Sequence, residues 1–120
     1  KVVNYLRANG YPDARRYLAG DSRQPGDIDF APGIHLEVKD VASSAWPSWR
    51  LQAVTECRGR IPIVVRRTRG VTDVGAWVAN WPTDFAPGPN VWCVRTIRYW
   101  HHGTFADVIA ALQSDIERTS

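Results

Sequence analysis

No uninterrupted apolar run in this chain approaches the roughly 20 residues that a membrane-spanning helix needs, which excludes a helical membrane protein. Cysteine is scarce: Cys57 and Cys93 are the only two, and nothing in their spacing suggests a disulfide framework or a thiolate metal site. A basic-then-apolar leader is missing too, so a reducing cytoplasm is the expected setting. The chain shows no repeats and no long low-complexity tract, which removes solenoid and disordered classes. Methionine is absent and the first residue is Lys1, so an initiator and part of the first helix are expected upstream of the numbered segment. What is present is enough for one core. The 120 residues are 44% hydrophobic and include six Trp, which predicts a single domain over 1–120. The net charge is only +3, but the arginines are grouped at Arg15-Arg16, Arg58 and Arg60, Arg66-Arg67 with Arg69, and Arg95 with Arg98. Such clusters suit a polyanionic partner better than the small total does.

The order of elements follows from periodicity and punctuation. Val2, Val3 and Leu6 before Gly10 fit the end of an amphipathic helix, which closes near Asn9. Residues 14–19 are ambiguous between strand and helix, and a strand is preferred; Gly20 to Gly26 is a turn-rich loop. A hairpin follows within GDIDFAPGIHLEVKD. A helix is predicted from about Ser48, with Pro47 in its first turn, then a strand over Ile61 to Arg67. Together these make a strand, crossover helix and strand in one sheet. Val74 to Trp81 is a further strand candidate, Pro82 to Asn90 a loop, and Val91 to Trp100 a last strand. Thr104 with Asp107 three residues on caps a final helix whose stripe is Phe105, Val108, Ile109, Leu112 and Ile116.

The chemistry concentrates in the hairpin. Ile34, Leu36 and Val38 alternate with His35, Glu37 and Lys39, and Ile28 and Phe30 alternate with Asp27 and Asp29, giving one apolar and one ionisable face. A turn centred on Pro32 sets Asp27 opposite Glu37, with Cβ atoms roughly 5 Å apart. Two carboxylates so placed repel, and a divalent cation between them reverses the sign; Mg²⁺ or Mn²⁺ prefers such ligands. Lys39, on the same face as Glu37, is within reach of a water or a phosphate oxygen. The set points to metal-dependent phosphodiester cleavage. By pattern alone the same residues describe a solvated hairpin face carrying a Glu–Lys pair. Asp29 is a reserve ligand, while His35, Asp40 and Glu56 read as structural or surface residues. Trp46 and Trp49 read as core or interface, and His101-His102 diverge on a strand and receive no role.

The context of the pattern resembles a known family. The segments RANGYPDARRYLAG, PGDIDFAPGIHLEVK and IPIVVRRTRG, spanning about residues 1–81, resemble the PD-(D/E)XK nuclease superfamily. More narrowly, they look like the small Holliday-junction resolvase-like nucleases of actinobacterial phages. That resemblance implies an α/β fold with a central mixed β-sheet flanked by helices, a restriction-endonuclease-like core. It implies a catalytic set of Asp27, Glu37 and Lys39, with Gln52 as a polar helix residue near the site. The implied metal ligands are Asp27, Glu37 and the Val38 carbonyl, holding Mg²⁺ or Mn²⁺. Arg15, Arg16, Arg66, Arg67 and Arg69 are the expected contacts to the DNA backbone. One departure stands out: the family carries an acidic residue on its first helix, and residues 1–9 contain none.

The function so implied is a DNA endonuclease that resolves four-way junctions as a homodimer, since two symmetric nicks call for two sites about a two-fold axis. Its setting would be the cytoplasm, a host's if the chain is phage-encoded. Three alternatives remain open. One is a monomeric nuclease acting on flaps, ends or linear duplex, the second a DNA-binding protein of the same fold without activity, and the third a structural domain without nucleic-acid affinity, whose arginines would give no salt-dependent DNA binding.

Overall fold

In the computed structural model, the described residues are 1–17, 28–57, 60–82 and 100–119, with side chains described as far as residue 114. They form an α/β protein with a six-stranded mixed sheet and three helices. Helix α1 (Val2–Ala8) leads into β1 (Arg15–Arg16), β2 (Ile28–Asp29) and β3 (Ile34–Lys39). Helix α2 (Trp46–Glu56) then crosses to β4 (Ile61–Arg66), followed by β5 (Val78–Pro82), β6 (Trp100–Thr104) and α3 (Phe105–Thr119). The strands lie side by side in chain order, and every neighbouring pair is antiparallel except β3 and β4. No helix among the described residues is long and apolar enough to cross a membrane.

The hairpin adopts the expected register. Pro32 and Gly33 occupy the centre of a turn in which the Ile34 N–H donates to the Ala31 carbonyl at 3.3 Å. Gly33 has φ of 78°, a conformation that costs a glycine little and other residues more. Ile28 faces Leu36, the pairing of a hairpin symmetric about Pro32. Asp27 itself lies outside the described residues, as do the proposed loop from Gly20 to Gly26 and Arg58.

The parallel pair is joined by α2, because only a crossover can return the chain to the same end of the sheet. Its helix begins at Trp46, two residues before the predicted start, and Pro47 sits in the first turn, where its missing N–H has no cost. Both faces of this pair are therefore covered. On one face Leu36, Ile63 and Val65 join Val2, Leu6, Trp77, Trp81, Phe105, Val108 and Leu112 in the main core. On the other, Trp49 and Ala53 of α2 close over Val64, with Trp46 packed alongside.

Two further expectations meet the structure differently. The strand predicted over Val74 to Trp81 starts only at Val78, because Val74–Ala76 is a 3-10 turn. The Asp73 carboxylate accepts the Gly75 N–H at 3.0 Å, a local side-chain bond that competes with the sheet ladder. The indole N–H of Trp77 is spent on the Val71 carbonyl at 2.9 Å. Pro82, expected to open a loop running to Asn90, instead ends β5 opposite Trp100, where the last strand is described from; residues 83–99, which hold the rest of that loop with Cys93, Arg95 and Arg98, lie outside the described residues. At the start of α3 the predicted capping box is in place. The Asp107 N–H donates to the Thr104 hydroxyl at 3.2 Å, and the Thr104 N–H to the Asp107 carboxylate at 3.1 Å. Hydrogen bonds from Thr104 to the Asp107 carboxyl, the backbone N–H first and the side chain second, hold it below its ordinary range. Phe105, Val108, Ile109 and Leu112 are buried as the stripe requires, and the Ile116 side chain falls outside the described set.

Candidate active site

Residues His35, Glu37 and Lys39 alternate along β3 and so project toward α2, where Gln52 and Glu56 share a face one turn apart. The two elements meet in one continuous polar chain. At one end the Lys39 ammonium donates to Gln52 Oε1 at 2.8 Å, and the Gln52 amide donates to Glu56 Oε1 at 3.3 Å. Glu56 lies beside Glu37, and the hydrogen bond between these carboxyls, with desolvation second, raises the Glu56 pKa. The pairing thus disfavours two negative charges side by side. At the other end Glu37 Oε1 and His35 Nε2 are 2.9 Å apart, and His35 Nδ1 is 2.9 Å from Arg60 Nη2.

The burial is uneven and informative. His35 is fully buried, Glu37 is 5% exposed, and Gln52 is exposed. A carboxylate this deep is stable only with partners, and it has them in His35 and Glu56. Two cationic side chains, Lys39 and Arg60, bracket the two carboxyls.

The sequence-predicted residues divide into three groups. Glu37, Lys39 and Gln52 are brought together as expected, although the ionisable face they share is covered by α2 instead of solvated. Val38 sits between Glu37 and Lys39 with its side chain packed on the main core, so only its carbonyl is a candidate ligand. Asp27 lies outside the described residues. Asp29, the reserve ligand, is drawn to Arg15 at 3.4 Å.

Two residues were missed. Glu56, read as a surface residue, is half-buried and turned toward Glu37; the signal was its spacing of four from Gln52, which places both on one helix face. His35, read as structural, belongs to the chain of bonds, and its signal was the two-residue step to Glu37. The donor oxygens of Glu37 and Glu56 lie with a His35 nitrogen within 4.8 Å of one another. Hard carboxylate oxygens suit Mg²⁺ or Mn²⁺, and the closeness of the two carboxyls, which raises the Glu56 pKa, marks a place where positive charge is favoured. The carboxyl pair fits such an ion; His35 does not, because an arginine N–H already occupies its Nδ1 and leaves a proton on Nε2.

The arginines behave individually. Arg15 and Arg16 are exposed on β1, with Arg15 paired to Asp29. Arg66 reaches back to the Ala42 carbonyl at 2.7 Å, tying β4 to the loop that precedes α2. Arg67 pairs with Asp40 at 3.2 Å, and Arg69 is exposed. Arg67 and Arg69 line a cavity of about 440 Å³ with Lys1, Asp40 and Thr68. Arg16 and Arg67 share a second one of about 310 Å³, which Val38 and Trp77 also line. Both lie where β3 and β4 end. Elsewhere, His101 stacks on Trp81 while His102 meets Asn80 at 2.7 Å, so the adjacent histidines diverge as expected.

No family model, curated protein or solved structure matches this chain.

Proposed function

We propose that this chain is a metal-dependent DNA endonuclease with a restriction-endonuclease-like core of the PD-(D/E)XK kind, acting as a homodimer on four-way junctions. The observation that carries the reading is the connection from Lys39 through Gln52 and Glu56 to Glu37. Three polar side chains from a strand and its crossover helix lead to the buried Glu37 carboxylate, and of these four residues the resemblance marks Glu37, Lys39 and Gln52 as functional. Glu37 and Glu56 would hold Mg²⁺ or Mn²⁺, with Asp27 and the Val38 carbonyl as the further ligands that the resemblance implies. When bound, the ion supplies acidified water and neutralises charge on the scissile phosphate.

The chain's own residues do the rest. Glu56 would join Glu37 around the ion, Glu37 is anchored by His35, and Lys39 is held by Gln52 as a point charge for a phosphate oxygen or an attacking water. Arg15, Arg16, Arg67 and Arg69 would grip the backbone on either side, positioning DNA without reading its sequence. Arg66, bonded to Ala42, would contribute to the local field more than by direct contact.

One observation favours a second reading. Glu37 is only 5% exposed and already satisfied by His35 and Glu56, as it would be in a DNA-binding protein that keeps the fold without activity. Cleavage of a labelled four-way junction in Mg²⁺, Mn²⁺ or EDTA, with wild type and Glu37→Gln, separates the two. Metal-dependent nicking lost in the variant supports the nuclease; tight junction binding with no cleavage in either metal supports the binding protein.

A further inference from the structure

His35 is the most deeply buried titratable residue beside the site, and both of its ring nitrogens are engaged. Arginine has only N–H donors, so the 2.9 Å approach of Arg60 Nη2 to Nδ1 makes Nδ1 the acceptor. The proton of the ring then resides on Nε2 and points at Glu37 Oε1, 2.9 Å away. Arg60 is braced in turn, its Nε donating to the Cys57 carbonyl at 3.0 Å and Nη1 to the Tyr17 hydroxyl at 3.4 Å. A guanidinium anchored to the end of α2 therefore fixes the tautomer of a buried imidazole, which fixes one oxygen of the carboxylate.

We infer that Arg60 and His35 are positioning residues that orient Glu37 for a divalent cation, and that His35 is not itself a ligand. The inference rests on the nuclease reading and deepens it. Ligation through Nε2 would need the proton moved to Nδ1, where it would face an arginine N–H, donor against donor. The relay leaves the other Glu37 oxygen and the Glu56 carboxyl for the ion, and it limits the rotamers that Glu37 can adopt before the ion arrives. Supporting residues of this kind change metal affinity or activity by about 10- to 100-fold when removed.

The test uses the intact chain and begins with nitrogen-15 NMR of its three histidines, with and without Mg²⁺. The expected result is a His35 ring protonated at Nε2 and bare at Nδ1, unchanged when Mg²⁺ is added. Mn²⁺ affinity is then measured by calorimetry on wild type, His35→Phe and His35→Gln. The phenylalanine should weaken Mn²⁺ binding at least about 10-fold, and glutamine, whose amide N–H reaches toward Glu37, should recover most of it. At saturating Mn²⁺, His35→Phe should lower kcat for junction cleavage and leave KM for DNA unchanged. If His35→Phe does not fold, Arg60→Leu replaces it and should both mix the His35 tautomers and weaken Mn²⁺ binding.

An Nδ1–H tautomer, or Mn²⁺ affinity unchanged in the folded variants, would overturn the relay while leaving the nuclease reading standing. Loss of affinity that glutamine does not recover would also overturn it, since the donor N–H would then not be the cause. Absence of Mn²⁺ binding by the wild type would overturn the nuclease reading, and the positioning role with it.

Discussion

Replacing Glu56 by Gln isolates the electrostatics of the site. Glutamine copies the protonated acid: its Oε1 can accept from Gln52 as Glu56 does at 3.3 Å, and its amide can donate to Glu37. The folded protein raises the Glu56 pKa, chiefly through its bond to Glu37. A raised acid contributes stability that is fully present below the ordinary glutamate value, about 4.3, and is lost as pH rises through the folded value. Above that range the wild type must either hold two like charges together or keep a proton against the solvent. The donor oxygens lie within 4.8 Å, so at an effective dielectric of 20 the bare repulsion is about 3.5 kcal/mol. Glu56 is partly exposed, and screening and side-chain relaxation reduce that figure, leaving about 1–2 kcal/mol. For a chain of this size that corresponds to about 4–8 °C in Tm. Thermal unfolding in EDTA should therefore show Glu56→Gln more stable than wild type at pH 8 by that amount, with the two converging near pH 4. Added Mn²⁺ should stabilise the wild type and the variant much less. Equal stability at pH 8, or a variant less stable than wild type, would refute the carboxyl pairing.

Other perturbations reach different parts of the molecule. Thr104→Ala removes the hydroxyl half of the capping box on α3 and should cost about 1 kcal/mol in urea denaturation, with Thr104→Ser close to neutral. Ile63→Ala, fully buried at the centre of the main core, should cost about 3 kcal/mol by the same assay with an unchanged denaturant slope. Lys39→Ala should slow junction cleavage about 10²-fold while DNA affinity changes little, as expected for a charge used at the reacting phosphate. Replacing Arg67 and Arg69 together with Gln should weaken DNA binding and reduce the slope of log affinity against log salt by about 2, measured by fluorescence anisotropy.

The parts of the fold legible in the sequence are those where local pattern and tertiary environment agree. The β-branched run from Ile61 to Val65 after a helix with Pro47 in its first turn specifies a strand buried on both faces and its crossover. The Thr104 and Asp107 pair specifies its cap for the same reason. The strand expected from Val74 failed because Asp73 captures the Gly75 N–H, a choice settled by one side chain. In the site, alternation along β3 correctly grouped His35, Glu37 and Lys39 but does not say what covers them. Whether that face meets water or α2 depends on where the crossover helix lands, which is a tertiary fact. Once α2 lies there, Gln52 and Glu56 follow from their helical spacing, and Glu56 changes from a surface acid to a partner of Glu37.

The most direct test of the central claim is cleavage of a labelled four-way junction beside a linear duplex of the same sequence, in Mg²⁺, Mn²⁺ or EDTA, by wild type and Glu37→Gln. The account predicts paired, metal-dependent nicks in the junction alone, abolished in Glu37→Gln with junction binding kept. Undiminished cleavage by Glu37→Gln would contradict the site, and tight junction binding by a wild type that never cuts would contradict the nuclease.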